Sequence, residues 1–146
     1  MKINLIWVGK TKEPFIHEGL QKYLKLLKPY ADVAVTEIRE EKVRDAGRML
    51  GKESERIQDL KTPYILLDEK GEPLESVEFA KLIEKLGSSA TFLLGGAYGV
   101  SGDVKARAIK KISLSSMTFT HEMSRLVFLE QLYRAFTILQ KRGYHH

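Results

Sequence analysis

The hydrophobic positions of the chain follow two periods, one typical of buried strands and one typical of amphipathic helices. Short runs rich in apolar residues lie at residues 2–8, 33–38, 64–67, 91–94 and 112–114. Runs of this length between turn residues predict buried strands.

Between these strands, apolar residues recur three or four positions apart, which predicts helices. The helical segments cover residues 15–27, 40–60, 76–86, 101–109 and 120–141. Pro29 ends the first helix, and Ser76 and Ser101 are expected to cap the third and fourth. The second segment is charged, which predicts an exposed helix with a break near Gly47 or Gly51.

Strands and helices alternate along the whole chain, and this order predicts an α/β fold with a mainly parallel sheet flanked by helices. We find no internal repeat, low-complexity tract or linker, so we expect a single domain over residues 1–146.

The last helix carries apolar residues on more than one face, which indicates burial on two sides. We expect one side to pack on the sheet and the other on a second subunit. A chain of 146 residues buries only about two thirds of its unfolded surface, so a homodimer would help to complete the core.

Composition excludes several classes of protein. Hydrophobic residues make up 43% and charged residues 29% of the chain, which is typical of a globular protein rather than a disordered one. The apolar runs are too short for a membrane span or a signal peptide, so we expect a cytoplasmic protein.

There is no cysteine. The adjacent pair His145 and His146 has poor spacing for a metal site, so no metal is expected.

Positive charge is concentrated at the end of the chain. The net charge is +5, and residues 101–146 carry 8 basic and 3 acidic residues. Clustered positive charge suits a polyanion such as nucleic acid. Charge alone fits a merely basic soluble protein equally well.

Three loops that follow predicted strands are candidates for chemistry, because ligands bind at the carboxyl ends of strands in open α/β sheets. They are Leu67 with Asp68, residues 95–99, and residues 114–120. The second reads Gly-Gly-Ala-Tyr-Gly, which matches neither the dinucleotide fingerprint nor a P-loop. Adjacent glycines allow close approach of a ligand to the backbone, or simply form a tight turn.

Polar residues near the last helix leave further alternatives open. The hydroxyls between Ser113 and Thr120 serve either a ligand or the helix cap. His121 and Arg125 share a helix face, where they would meet a phosphate or a base, or form ordinary ion pairs. Arg134 and Arg142 either contact RNA phosphates or are plain surface residues.

Several motifs in order resemble one known family. They are Leu67-Asp68 followed by Gly71, residues 93–99, the Leu-Ser-Ser-Met-Thr-Phe segment at 114–119, His121 with Arg125, residues 130–135 and the tail Tyr144-His145. Together they resemble the RlmH family, small SPOUT-class methyltransferases of the bacterial large ribosomal subunit, over essentially the whole chain.

The resemblance implies a SPOUT-type fold with a C-terminal trefoil knot, a homodimer and S-adenosylmethionine (S-adenosyl-L-methionine) as cofactor. It implies methylation of N3 of a pseudouridine in 23S rRNA, with the assembled ribosome as substrate and partner.

The resemblance also implies site residues. His121, Arg125, Tyr144 and His145 would lie toward the target base, with the tail crossing into the partner's site. The cofactor would be bound by Leu67, Gly95, Gly96, Leu114, Ser115, Ser116, Met117, Thr118 and Phe119.

On this hypothesis the N3 proton passes to His121, His145 or solvent, and Arg125 stabilises the developing anion. Replacing Arg125 by Ala is then expected to depress methylation at nearly unchanged cofactor affinity. Thr120 stands where the family often has Pro, and His146 stands where it commonly has Arg or Lys. Thr120 can cap the helix, and a terminal histidine weakens a phosphate contact or leaves it to Arg142.

Two other classes compete with this interpretation. A non-catalytic α/β module that binds RNA or a nucleotide would need neither the 114–119 segment nor the Tyr-His tail. A flavodoxin-like regulator would need an acidic cluster at the strand ends, for which Asp68 and Glu69 alone are thin support.

Overall fold

Helices and strands alternate in the computed structural model, which describes residues 1–40 and 46–146. The strands are β1 (Lys2–Val8), β2 (Asp32–Ile38), β3 (Ile65–Pro73), β4 (Ser89–Leu94) and β5 (Lys110–Ser113). The helices are α1 (Pro14–Leu27), α2 (Ala46–Asp59), α3 (Ser76–Leu86), α4 (Gly102–Arg107) and α5 (His121–Leu139).

The five strands form one sheet in the order β2-β1-β4-β3-β5. Every neighbouring pair is parallel, and β1 pairs with β2 from Lys2–Asp32 to Val8–Ile38. The predicted α/β fold with a parallel sheet is therefore confirmed. The trefoil knot stays a prediction.

Side-chain alternation along β1 divides the core between the two faces of the sheet. Ile3, Leu5 and Trp7 belong to the larger cluster, which includes residues of α1, α3 and α5. Ile6 and Val8 belong to a smaller cluster with residues of α2 and α4. Because successive strand residues point to opposite faces, an unbroken apolar run is the pattern that a two-sided parallel sheet requires.

Helix α5 packs between α1 and α3 and carries the largest part of the core. The ring of Phe128 lies 5.0 Å from that of Phe92 and 5.9 Å from that of Phe79. On the α1 side, Leu126 packs over Gly19, where a Cβ would lie 2.6 Å from a Leu126 methyl group. Several further apolar residues of α5 are only half-buried.

Helix boundaries follow the sequence prediction with local corrections. Ser101 and Thr120 cap α4 and α5 by accepting from Val104 N and Met123 N. Ser76 does not cap α3, because Glu75 and Glu78 form a capping box there and the Ser76 hydroxyl donates to Gln131 instead. Of the predicted 40–60 helix, residues 41–45 lie outside the described residues. The predicted break near Gly47 or Gly51 is wrong, because α2 runs through both positions.

The third strand is longer than predicted, because pairing with β5 resumes after an interruption. Leu67 and Glu72 both pair with Ile112, so residues 68–71 bulge out of the ladder. A Cβ on Gly71 would lie 2.7 Å from the Ile112 nitrogen. Glycine is therefore the residue that lets the strand pass this close to β5.

Candidate functional site

A cleft of about 510 Å³ opens where β3, β4 and β5 end, a volume typical of small-molecule sites. We call it the glycine-loop cleft. Its lining comes from the β3 bulge, the loop after β4 and the loop before α5. The lining residues are Leu67, Asp68, Glu69, Lys70, Leu94, Gly95, Gly96, Ala97, Tyr98, Gly99, Val100, Lys105, Leu114, Ser115, Met117, Thr118, Phe119, His121 and Ser124.

The glycine loop is a tight turn with its backbone on the cleft. Gly99 N donates to Gly96 O at 3.0 Å, and the φ of Gly99 is +75°. A Cβ on Gly95 would lie 3.0 Å from the Gly99 carbonyl carbon, and one on Gly96 would lie 3.3 Å from the Val8 side chain. The loop thus has little room for side chains and leaves its peptide groups accessible to a ligand.

The β3 bulge brings carboxylates to the opposite wall. Asp68 accepts a hydrogen bond from Lys70 N at 3.1 Å, which closes the bulge. Glu69 accepts from the Thr118 hydroxyl at 2.7 Å and so ties the bulge to the loop before α5. The sequence patterns do not mark Glu69 as a site residue, although its place two positions after the apolar run at 64–67 is a usable signal.

The loop between β5 and α5 is held by its own hydroxyls. Ser113 donates to Ser115 O, and Ser115 accepts from Met117 N, both at 2.9 Å. The residues of this segment that reach the cleft are Leu114, Ser115, Met117, Thr118 and Phe119, and their role in cofactor binding stays a prediction. Ser116 is exposed and is not among the described residues that line the cleft.

His121, the first residue of α5, is half-buried and lines the cleft. Burial lowers its pKa below the usual 6.5, and Arg125 lowers it further, while Glu122 and Glu40 oppose the shift. The ring is therefore neutral near pH 7 and free to accept a proton.

Arg125 lies behind the cleft rather than on its surface. Its side chain is fully buried, and its two terminal nitrogens donate to Val8 O at 2.6 Å and to Thr11 Oγ1 at 3.0 Å. The guanidinium lies 4.9 Å from the centre of the Trp7 ring. Burial lowers the pKa of Arg125. A contact between Arg125 and a substrate would require residues around it to move, because its side chain is fully buried.

Glu122 is a buried residue of the first turn of α5 that the sequence patterns do not mark as a site residue. Its carboxylate accepts from the backbone N–H groups of Lys12 and Glu13 at 2.9 and 3.0 Å. Through these hydrogen bonds, Glu122 and Arg125 of α5 hold the turn between β1 and α1 in place. Arg125 bonds to Val8, and Gly96 packs against Val8, so the same contacts also support the glycine loop.

The C-terminal tail folds back on α5, away from the glycine-loop cleft. Tyr144 donates to Glu130 at 3.0 Å, and Arg134 contacts Glu130 and the Nδ1 atom of His145 at 3.1 Å. Burial, with hydrogen bonds to Tyr23 and Glu130, raises the pKa of Tyr144, so the phenol stays protonated.

His145 lines a second cavity of about 410 Å³, which we call the tail cavity. Its walls come from the start of α3, the end of β5 and the middle of α5, and Leu114 borders both cavities. Arg142 is exposed, lines neither cavity, and has its backbone N–H bonded to Thr137 O at 2.8 Å. Of the predicted catalytic residues, His121 lines the glycine-loop cleft and His145 lines the tail cavity, while Arg125 and Tyr144 line neither.

The cleft offers a ligand apolar surface from Leu67, Leu114 and Phe119 and peptide groups from the glycine loop. Charges of both signs also line it, from Asp68, Glu69, Lys70 and Lys105. Within the described residues, no cluster of His, Asp and Glu could hold a metal ion. None of the helices described is long and apolar enough to cross a bilayer.

The known proteins to which this chain is similar are all described as methyltransferases. Residues 1–145 match the family model described as "Predicted SPOUT methyltransferase". The chain is 43% identical to ribosomal RNA large subunit methyltransferase H of Geobacter sulfurreducens, over 100% of both chains. It is 45% identical to the protein of that name from Thermodesulfovibrio yellowstonii, over 99% of both.

A solved structure supports the fold. A probable methylase family protein from Haemophilus influenzae aligns with a TM-score of 0.58 at 7% identity, covering 99% of this chain and 70% of that one. At this identity the likeness concerns the fold alone.

Proposed function

Because the chain belongs to the SPOUT methyltransferase family, we propose that it methylates N3 of a pseudouridine in 23S rRNA. The methyl donor in this proposal is S-adenosylmethionine, and the substrate is the assembled ribosome in the cytoplasm. The relatives' name, ribosomal RNA large subunit methyltransferase, supports ribosomal RNA as the acceptor.

One observation carries the proposal. The glycine loop, the 114–119 segment and His121 come from separate parts of the chain and line one cleft at the carboxyl ends of three strands. A phosphate-binding module would need neither the apolar wall nor the neutral imidazole. The convergence supports an enzyme with a bound small molecule and a proton acceptor beside it.

The residues of the cleft fit the donor. Glycine at positions 95 and 96 avoids crowding, because a Cβ at either position would lie close to neighbouring atoms. The backbone groups beside these glycines can bind the adenine edge. Leu67, Leu114 and Phe119 would enclose the ring, and the carboxylates of the β3 bulge suit the positive charge of the sulfonium. When bound, S-adenosylmethionine supplies an electrophilic methyl group on a sulfonium sulfur.

His121 is our candidate for the base. The N3–H of pseudouridine is a weakly acidic imide, and the proton must leave before or during attack on the methyl group. An unprotonated ring nitrogen of His121 would take this proton, since the pKa of this ring is lowered and the ring lines the cleft. Backbone groups of the glycine loop would bind the donor and so help to orient it toward the target base.

In this proposal, the tail residues reach the target base from a second subunit. Tyr144 and His145 do not line the glycine-loop cleft of their own protomer. In a homodimer the tail of one chain would reach the target base beside His121 of the other. Arg134 and Arg142 would then contact rRNA phosphates. A single domain with a C-terminal trefoil knot is part of the same proposal.

The test is methyl transfer from labelled S-adenosylmethionine to ribosomes that carry the pseudouridine without its methyl group. Ribosomes that lack the pseudouridine are the matched control. We expect label at N3 of that nucleotide alone. Cofactor binding without label would indicate a different acceptor, and absence of both would favour an RNA-binding module.

A further inference from the structure

Arg134 of α5 holds both residues of the Tyr-His tail. Its Nη1 atom lies 3.1 Å from Nδ1 of His145. Its Nε atom donates to Glu130 Oε1 at 3.1 Å, and its Nη2 atom donates to the same oxygen. The guanidinium also lies 4.8 Å from the centre of the Tyr144 ring. Contacts on three sides therefore fix the direction in which Nη1 meets the imidazole.

Glu130 is in turn held from the start of α3. Its Oε2 atom accepts from Gln131 Nε2 at 2.9 Å, and Gln131 Oε1 accepts from the Ser76 hydroxyl at 2.7 Å. The side chains of Glu130 and Arg134 are only 19% and 24% exposed. A largely shielded series of hydrogen bonds thus leads from α3 to His145, and it is better ordered than an ion pair in open solvent.

The chemistry of Arg134 decides which nitrogen of His145 carries the proton. A guanidinium has N–H groups and no acceptor, so an imidazole nitrogen can bond to it only through a lone pair. The hydrogen bond with Glu130 raises the pKa of Arg134, which keeps the group charged. Nδ1 of His145 is therefore the acceptor, and the ring is neutral with its proton on Nε2.

This tautomer limits what His145 can do in a reaction. The lone pair of the neutral ring is on Nδ1, where it accepts from Arg134, so the ring has no free position for a proton. The Nε2–H remains, and the part of the chain that the structure describes provides no acceptor for it. The half-buried ring on the wall of the tail cavity thus offers a hydrogen-bond donor rather than a base.

Deprotonation of N3 creates a need for such a donor. N3 of the target base lies between two carbonyl groups, and the negative charge left after deprotonation spreads onto both oxygens. In the proposed reaction the proton goes to a ring nitrogen of His121. The electron pair on N3 forms the bond to the methyl carbon, and the electrons of the broken bond stay with sulfur. A fixed N–H beside one carbonyl oxygen would stabilise the developing charge.

We propose that Arg134 is a positioning residue that holds His145 as the Nε2–H tautomer, so that His145 donates a hydrogen bond to a carbonyl oxygen beside N3. The inference rests on the proposed function for the reaction and for the homodimer in which the tail meets the target base. It assigns the proton to His121 alone. Arg134 keeps further N–H groups for the phosphate contact of the proposed function.

Nitrogen NMR on the full chain tests the tautomer independently of activity. Protein labelled with nitrogen-15 at histidine gives separate resonances for Nδ1 and Nε2, and their loss in H145Q assigns those of His145. Above neutral pH, we expect Nδ1 to resonate as a bare nitrogen and Nε2 as an N–H. In R134M the ring should exchange between both tautomers. The control K85Q, which removes an exposed charge from the last turn of α3, should leave the resonances unchanged.

Methyl transfer to ribosomes tests the role of the donor. H145F keeps a ring without an N–H, and we expect kcat to fall about hundredfold to thousandfold, as it does when one donor to a developing anion is removed. H145Q should restore most of this loss, because its amide oxygen can accept from Arg134 while its amide N–H groups donate.

The Arg134 variants test the positioning role. R134M should lower kcat roughly hundredfold by misplacing His145. R134K keeps a cation beside Glu130 without the planar fork, so it should lower kcat as well, and it replaces R134M if the methionine variant does not fold. Calorimetry should give wild-type affinity for S-adenosylmethionine in both variants and in K85Q.

Three results would overturn the inference. A proton on Nδ1 of His145 in the wild-type protein would contradict the tautomer. H145Q as inactive as H145F would contradict the role as donor and favour His145 as the base. Normal kcat in folded R134M or R134K would show that His145 needs no positioning by Arg134. If the wild type methylates no ribosome, the proposed function fails, while the nitrogen resonances still decide how Arg134 holds His145.

Discussion

At the scale of single residues, Arg125 is the clearest case of a side chain whose environment changes its interpretation. Taken from the sequence, it would stabilise an anion in the site. In the structure it is fully buried beneath the β1–α1 turn, with hydrogen bonds to Val8 and Thr11. Burying a charge is costly unless hydrogen bonds replace its contacts with water. Because the hydrogen bonds of Arg125 go to Val8 and Thr11, they hold the turn in one position.

Replacing Arg125 by Ala is therefore expected to destabilise the fold. Two hydrogen bonds from a charged donor contribute about 1.5–3 kcal/mol each, so we expect a loss of about 3 kcal/mol or more in the free energy of unfolding. Denaturant titration measures this. Because Val8 supports Gly96, cofactor affinity should fall as well. R142A, at an exposed arginine, should change stability by less than about 0.5 kcal/mol.

Calorimetry on the folded fraction of R125A distinguishes two roles. Normal stability and cofactor affinity with a large loss of kcat would favour the anion-stabilising role suggested by the sequence. Loss of stability and affinity together would favour the supporting role.

The pH dependence of the reaction tests His121. Because burial lowers its pKa below 6.5, the unprotonated base persists under mildly acidic conditions. The acid limb of kcat/KM should therefore have its inflection below pH 6.5. Glu122 raises the pKa of His121, so E122Q should move the limb to lower pH while its amide oxygen still accepts from Lys12 and Glu13. A limb unmoved in E122Q and retained in H121Q would point to another base.

The sequence patterns predicted where these residues lie in the fold, but not which residues they contact. His121 and the 114–119 segment follow a strand end, which is a topological signal, and all but Ser116 of the predicted set reach the cleft there. Arg125 and Glu122 contact residues more than a hundred positions away. Helix periodicity places them on α5 but contains no information about such a partner.

At the scale of elements, the β3 bulge shows how one glycine shapes the cleft. A Cβ on Gly71 would meet the backbone of Lys111 and Ile112 at 2.7 Å, and backbone cannot rotate away as a side chain can. The bulge holds Asp68 and Glu69 at the cleft. The shape of this wall therefore depends on the close contact between β3 and β5.

We expect G71A to cost about 1–3 kcal/mol of stability, as overpacking usually does, and to weaken cofactor binding by displacing the bulge. Chemical denaturation and calorimetry measure the two effects. G51A is the matched control, because a Cβ on Gly51 meets nothing within 4 Å and lies inside α2. It should stabilise the protein by about 0.5–1 kcal/mol. Equal effects of the two substitutions would contradict the steric argument.

Element boundaries were predictable where local signals exist. The apolar run of β1 predicts Lys2–Val8, and hydroxyl caps predict the starts of α4 and α5. The extension of β3 past residue 67 was not predictable, because residues 68–71 read as a turn and the pairing of Glu72 with Ile112 depends on β5. The Glu75–Glu78 capping box was not predictable, because glutamate is an unusual N-cap residue and the adjacent Ser76 is a preferred one.

At the scale of the whole molecule, the distribution of the two histidines suggests how a homodimer would work. His121 lines the glycine-loop cleft and His145 lines the tail cavity of the same protomer. Arg134 and Glu130 hold the tail on its own α5. If both histidines serve one target base, they belong to different chains of a dimer.

Mixed dimers test this arrangement. H121A and H145A are each expected to be nearly inactive alone. After denaturation and refolding as an equal mixture, half of the dimers contain one chain of each kind, and one of their two sites has both histidines. We therefore expect about a quarter of wild-type methyl transfer to ribosomes. If each site took both histidines from its own chain, every site in a mixed dimer would lack one of them and the mixture would stay inactive. Wild-type chains taken through the same refolding are the control, and light scattering confirms that dimers have formed.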